Sequence, residues 1–159
     1  MITGLDHAVV VVRDIEAGVA AYRSLFARAP AWRAEADGAA TALFTLDNTT
    51  LELIAPKSDA ESATRIRAAL DAQGEGLASI CFRTGDITQM HRRLERLTLK
   101  PSPVGEAESR DIGSGATLQW KRTRTETEAT RGVRLFFLER SAERPHSTVT
   151  GPAPIAAMD

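Results

Sequence analysis

A chain of 159 residues with 43% hydrophobic residues carries enough apolar material for one compact domain, or for two small modules around a shared core. Its 20 Lys plus Arg against 21 Asp plus Glu leave a formal net charge of −1, so nucleic acid and membrane partners are not expected. No apolar run approaches the roughly 18 to 20 residues that span a bilayer, and the N-terminus lacks a signal-peptide pattern, so a cytoplasmic location is expected. Cys81 is the single cysteine, which excludes an intrachain disulfide and a cysteine-based zinc cluster.

Residues 5–12 are short and β-branched and predict a strand. Asp14 follows as an N-cap for a helix whose apolar positions Ile15, Val19, Tyr22 and Phe26 recur at helical spacing. After Pro30 come three candidate strands at 32–36, 41–46 and 49–54, the last two joined by the turn-like Asp47-Asn48. Residues 57–73 are polar and Ala-rich, with Ile66 and Leu70 four apart, and read as a helical connector ended by Gly74.

The pattern then restarts. GLDHAVVVVRDI at 4–15 is echoed by GLASICFRTGDI at 76–87, and the difference between positions 4 and 76 is 72. Residues 77–84 predict a strand, and Asp86 caps a helix carrying Ile87, Met90, Leu94 and Leu97 that is stopped by Pro101 and Pro103. Three further strands are expected at 104–110, 117–124 and 133–139. The charged, Thr-rich segment 121–132 reads as a long exposed hairpin, and its alternating signs as a solvated loop. Gly113 and Gly115 lie between strands and lack the strand-to-helix context of a phosphate cradle. The fold expected is therefore α+β, with a first βαβββ module at 1–56, a helical connector at 57–75, a second module at 76–141, and a flexible tail or linker at 142–159. The closing IAAMD echoes ITGLD at 2–6, which raises the expectation that the natural chain continues into another such unit.

Two βαβββ units in tandem, a D-H pair opening the first strand, and TLELIAP on the fourth resemble the vicinal oxygen chelate superfamily. That superfamily includes glyoxalase I, methylmalonyl-CoA epimerase, extradiol dioxygenases and the bleomycin and fosfomycin resistance proteins, and the resemblance is closest to its glyoxalase-like members. It implies two modules curled into a cup of mixed sheet with helices outside, and a metal held by side chains from the first and fourth strands of each module. The matching positions here are His7 and Glu52 in the first module and Ser79 and Phe136 in the second. Only His7 and Glu52 are competent ligands, whereas a catalytic zinc site generally has three protein ligands. At most a weakly held divalent metal is expected on that pair. Glu139 lies three residues beyond Phe136 and should face the other side of its strand.

The resemblance implies a glyoxalase-like protein that binds or transforms a small oxygen-rich or carbonyl-bearing molecule. One reading is proton transfer next to a carbonyl, of the lyase or isomerase type, with Glu52 as base and His7 or a weak cation polarising the oxygen. The other is a non-catalytic binder of the drug-sequestering kind. A plain His–Glu ion pair is the structural alternative for the two residues. Ser79 and Cys81 share a strand face, with Arg83 near the rim, and together with Gln119 and Phe136 they are the candidate ligand-binding residues. Cys81 reads as a small buried hydrophobe rather than a nucleophile. Trp32 and Trp120 read as packing residues, and closure of the cup by a second subunit in a homodimer is left open.

Overall fold

The computed structural model describes residues 1–152 and 154–158. Its elements run β1 (Ile2–Val11), α1 (Ile15–Phe26), β2 (Trp32–Ala36), β3 (Ala39–Thr45), β4 (Thr50–Pro56), α2 (Glu61–Gln73), β5 (Gly76–Thr84), α3 (Ile87–Arg96), β6 (Gly105–Arg110), β7 (Thr117–Arg124) and β8 (Leu135–Arg140). This is the expected α+β order of two βαβββ units joined by a helix.

Local chemistry sets the helix starts. Asp14 and Asp86 each accept a hydrogen bond from the backbone N–H three residues on, those of Ala17 and Gln89, both at 2.8 Å. Each thereby satisfies a donor that the first turn would otherwise leave free. Between β2 and β3 the chain reverses through Asp37 and Gly38, with φ of 50° and 77°. A two-residue turn with both φ positive matches the twist of the flanking strands and favours Asp-Gly.

All eight strands form one sheet in the order β2-β3-β4-β1-β5-β8-β7-β6. The modules join at its centre, where β1 and β5 run antiparallel with His7 opposite Cys81 and Val9 opposite Ser79. Shifting by the 72 residues of the sequence repeat carries the first pair onto the second, as a two-fold relation requires. The outer neighbours obey the same relation. Val9 lies beside Glu52 on parallel β4, and Cys81 beside Phe136 on parallel β8.

The sheet curls until its two edges meet. Trp32 Nε1 on β2 donates to Ser109 Oγ on β6 at 2.9 Å, and the Arg33 N–H donates to Asp111 Oδ1 at 2.8 Å. Leu118 packs over Trp32, Ala34 and Leu43 along this seam. The result is a nearly closed cup. The convex side carries α1 and α3: α1 covers Val10, Phe44, Leu51 and Leu53, while α3 places Ile87, Met90 and Leu94 against Phe137. The connector α2 instead sets Ile66 and Leu70 against Val11 and Ile54 and borders the concave side. Leu97, expected on the buried face of α3, sits at its C-cap and is exposed.

The segment expected to be a flexible tail packs against the first module. Its Thr150 and Ile155 N–H groups donate to the carbonyls of Ala27 and Phe26 at 2.7 and 3.1 Å, satisfying acceptors that α1 leaves open at its end. Buried Arg28 donates from Nε to Ile155 O at 2.8 Å, and Ile155 joins the core around Phe26. The high Pro, Ser and Thr content reads as a linker, but an extended strap with free N–H groups suits a helix end equally well. The segment 121–132 also divides: residues through Arg124 belong to β7, and only the remainder loops out through a short 3-10 turn at Glu128–Thr130. The β pairing of Arg122 with Leu138 and Arg124 with Phe136 draws that part into the sheet.

Leu53 is fully buried between α1 and the sheet. Leu53→Ala is expected to cost about 2–5 kcal/mol in equilibrium denaturant unfolding, with an unchanged m-value.

Candidate functional site

The concave side encloses a cavity of about 830 Å³. Period-two alternation turns His7, Val9 and Val11 of β1 toward it, with Glu52 and Ile54 of β4, Ser79 and Cys81 of β5, and Phe136 and Leu138 of β8. Leu51 and Leu53 point the other way into the α1 core, which leaves Glu52 on the cup wall with its side chain 20% exposed.

His7 is held from both sides. Its Nδ1 lies 2.6 Å from Asp6 Oδ1, and its Nε2 lies 3.2 Å from Glu52 Oε2. Asp6, ionised, accepts from Nδ1–H, so the ring nitrogen left for the cup is Nε2. A single proton between Nε2 and Oε2 has two seats, on the imidazole or on the carboxyl. The pair is therefore arranged to hold or move one proton at the cup wall.

Asp6 is the hub behind this pair. A register shift in the β1–β5 ladder between Leu5 and His7 accompanies its placement, and its side chain is completely buried. Arg83 Nε donates to Oδ2 at 3.2 Å, Arg140 Nη2 bonds Oδ1, and Arg144 Nη2 stands 3.6 Å from the same oxygen. Arg144 Nη2 also lies 3.4 Å from His7 Nδ1. Burial pushes the Asp6 carboxyl upward, yet the His7 hydrogen bond and the charges of Arg144 and Arg140 outweigh it and bring the carboxyl from 3.8 down to about 2. Burial, with Asp6 and Glu52 adding to it, pushes the Cys81 thiol up, so Cys81 is a packing residue and not a thiolate.

Asp6, His7 and Cys81 have donor atoms within 4.8 Å of one another, the spacing of a metal cluster. Their chemistry does not suit a divalent ion. Asp6 is committed to His7 and the arginines, and the guanidinium groups of Arg140 and Arg144 bring positive charge to the same place. At the four positions implied by the superfamily resemblance, only His7 and Glu52 carry ligand atoms of the right kind; Ser79 is a hydroxyl and Phe136 a hydrocarbon.

Among the other residues singled out from sequence, Ser79, Cys81 and Phe136 line the same wall as His7 and Glu52. Arg83 is engaged instead by Asp6 and by Glu143, the latter at 2.8 Å. Gln119 also borders the cavity, and its exposed side chain donates to Glu108 at 3.2 Å. Glu139 accepts from the Ile87 N–H at 2.7 Å and serves the start of α3 outside the cup. His91 stands 3.6 Å from Glu95 along α3. Sequence reasoning missed Asp6, Arg140 and Arg144 as site residues, and the only signal for Asp6 was its place beside His7 in the D-H pair. A smaller cavity of about 400 Å³ against α3, lined by Arg92, Arg93 and Arg96 among others, contains neither histidine nor carboxylate.

A paired-module cup with its polar site on the inner strands is the architecture of the vicinal oxygen chelate fold. Residues 5–159 match the family model described as a glyoxalase-like domain, and the chain belongs to that family. No curated protein matches the sequence. Among solved structures, methylmalonyl-CoA epimerase from Mycobacterium tuberculosis is similar at a TM-score of 0.71 and 22% identity, covering 89% of this chain and 90% of that one. A variant of the Streptomyces coelicolor methylmalonyl-CoA epimerase, in complex with 2-nitronate-propionyl-CoA, follows at 0.68 and 20%, covering 89% and 100%. A hypothetical protein from Bacillus halodurans C-125 matches at 0.68 and 18%, covering 89% and 97%. At these identities the likeness is one of fold. No helix among the described residues is long and apolar enough to cross a membrane.

The depressed Asp6 carboxyl has a definite pH signature. Because its folded value of about 2 lies below the ordinary 3.8, its contribution of about 2 kcal/mol is present above the ordinary carboxylate value and is lost as pH falls through 2. Asp6→Asn should flatten that acid limb. It should also cost about 3–5 kcal/mol at neutral pH, because Arg140 and Arg144 are left as uncompensated buried charges. Urea unfolding across a pH series measures both effects.

Proposed function

We propose that the cup binds a small, oxygen-rich carbonyl compound and moves a proton at the carbon next to the carbonyl, in the manner of an isomerase or lyase. The observation that carries this reading is the Asp6–His7–Glu52 chain, with Glu52 Oε2 at 3.2 Å from His7 Nε2 on the wall of a cavity large enough for such a ligand.

Glu52, as carboxylate, takes the proton from the carbon, and the C–H electron pair moves into the carbon–carbon bond as the carbonyl π electrons move onto oxygen. The enolate charge is met by the positive environment of protonated His7 and the nearby arginines. Return of the proton to the same carbon gives exchange, and its return to the neighbouring carbon of an enediolate gives an isomer. Asp6 acts as a positioning residue: it fixes the tautomer of His7 and never meets the substrate. No step here needs a metal. The similar epimerases hold methylmalonyl-CoA and 2-nitronate-propionyl-CoA, both carbonyl compounds, which supports the substrate class without naming the substrate.

The second reading is a binder that sequesters a molecule in the same cavity. It is favoured by the replacement of two of the four superfamily ligand positions by Ser79 and Phe136. Deuterium incorporation from D2O into a panel of α-hydroxy ketones and acyl thioesters, followed by NMR, separates the two. Exchange by the wild type that falls by about 10²- to 10⁴-fold in Glu52→Gln, with melting temperature nearly unchanged, is the expected result. Saturable binding of a panel member without exchange in either protein would establish the binder instead.

A further inference from the structure

The cup wall formed by the second module carries a one-sided excess of positive charge. On β7, Leu118, Trp120, Arg122 and Arg124 share the face of Phe136 and Leu138, with Arg122 opposite Leu138 and Arg124 opposite Phe136, and all four line the cavity, whereas Lys121 lies on the outward face. Arg134, two residues before Phe136, also lines the cavity. The outward face looks like an ordinary solvated sheet surface: Lys121 lies between Glu106 and Glu139, with opposite charges alternating across the strands. The inward face has no such balance. Arg122 lies between Gly105 and Leu138. Among the described residues, the guanidinium groups of Arg122, Arg124 and Arg134 make no ion pair or side-chain hydrogen bond.

Each of the remaining charged groups around the cavity has a partner of its own or, for Arg140 and Arg144, shares one. Arg65 pairs with Glu61, Glu126 with Lys100, Arg140 and Arg144 with Asp6, and Glu52 faces His7. Three unmatched cations on one concave wall, in a chain whose net charge is −1, repel one another and focus an attractive field for anions. Cα atoms of Arg122 and Arg124 two residues apart on a strand stand about 7 Å from one another, within reach of the separate oxygens of one multiply charged group.

We propose that the ligand of this cup carries a multiply charged oxyanion, a phosphate or a polycarboxylate, and that Arg122, Arg124 and Arg134 seat it while the rest of the molecule extends toward His7 and Glu52. This rests on the cup being the ligand site, but not on the proton-transfer chemistry. Calorimetric titration with tripolyphosphate and with citrate, at low and at higher salt, tests it. Wild type should bind at least one probe saturably, more weakly as salt rises. The R122Q/R124Q double variant and R134Q should each bind roughly tenfold or more weakly. Lys121→Gln, which removes a like charge from the outer face, should retain binding. Preference for tripolyphosphate points to a phosphate-bearing ligand and preference for citrate to a polycarboxylate, and either supports the proposal. Absence of saturable binding to wild type, or an equal loss in Lys121→Gln, overturns it. The three arginines are solvent-exposed, so their variants should fold, and a melting curve for each confirms it. Anion binding without deuterium exchange would leave this site standing and remove the catalytic reading of Glu52.

Discussion

A single buried carboxylate, Asp6, organises the site. It sits where the two modules join, and its side chain receives hydrogen bonds or charge from β1 itself through His7, from β5 through Arg83, from β8 through Arg140, and from the C-terminal strap through Arg144. Burying an ion is costly unless its partners are close and well aimed. Here one anion faces three guanidinium groups, and two atoms of those groups, Arg140 Nε and Arg144 Nη1, are buried with no partner among the described residues. Such an arrangement is a poor way to gain stability. It is an effective way to lock the positions of four chain segments and the orientation of one imidazole.

That constraint accounts for the way the two modules have diverged. The ladder registers keep His7 related to Ser79 and Glu52 to Phe136, so the second module retains the backbone of a site without its chemistry. Around the same centre the second module and the strap supply arginines. The cup is consequently asymmetric: one wall holds the proton-bearing pair, and the other is apolar at Phe136 and Leu138 and cationic at Arg122 and Arg124.

Much of the fold was legible in the sequence because local rules settle it. Asp14 and Asp86 stand before apolar positions at helical spacing, and they cap the two helices. The alternation around Glu52 separates it from Leu51 and Leu53 whatever the tertiary context, so its direction could be read. The Asp6 network could not. Strict alternation gives Asp6 the face opposite His7, and only the shift in the β1–β5 register, together with arginines 77 and 134 residues away, makes it a partner of that ring. Arg122 and Arg124 were hidden by composition, since a Thr-rich run of mixed charge looks the same in a loop and in a strand whose two faces carry different signs.

The strap also bears on the order in which the chain can fold. Bonds from residues 147–155 close the end of α1 and engage the Thr45 backbone N–H, through Ser147 Oγ, and the Arg28 side chain, across separations of 102 to 127 residues. During synthesis the first module leaves the ribosome long before those residues exist. Its strands can pair and its apolar face can collapse, yet the carbonyls of Phe26 and Ala27 must stay hydrated and Ile155 cannot enter the core. The half that is made first is finished last, and the same late docking event that seals it brings Arg144 to His7.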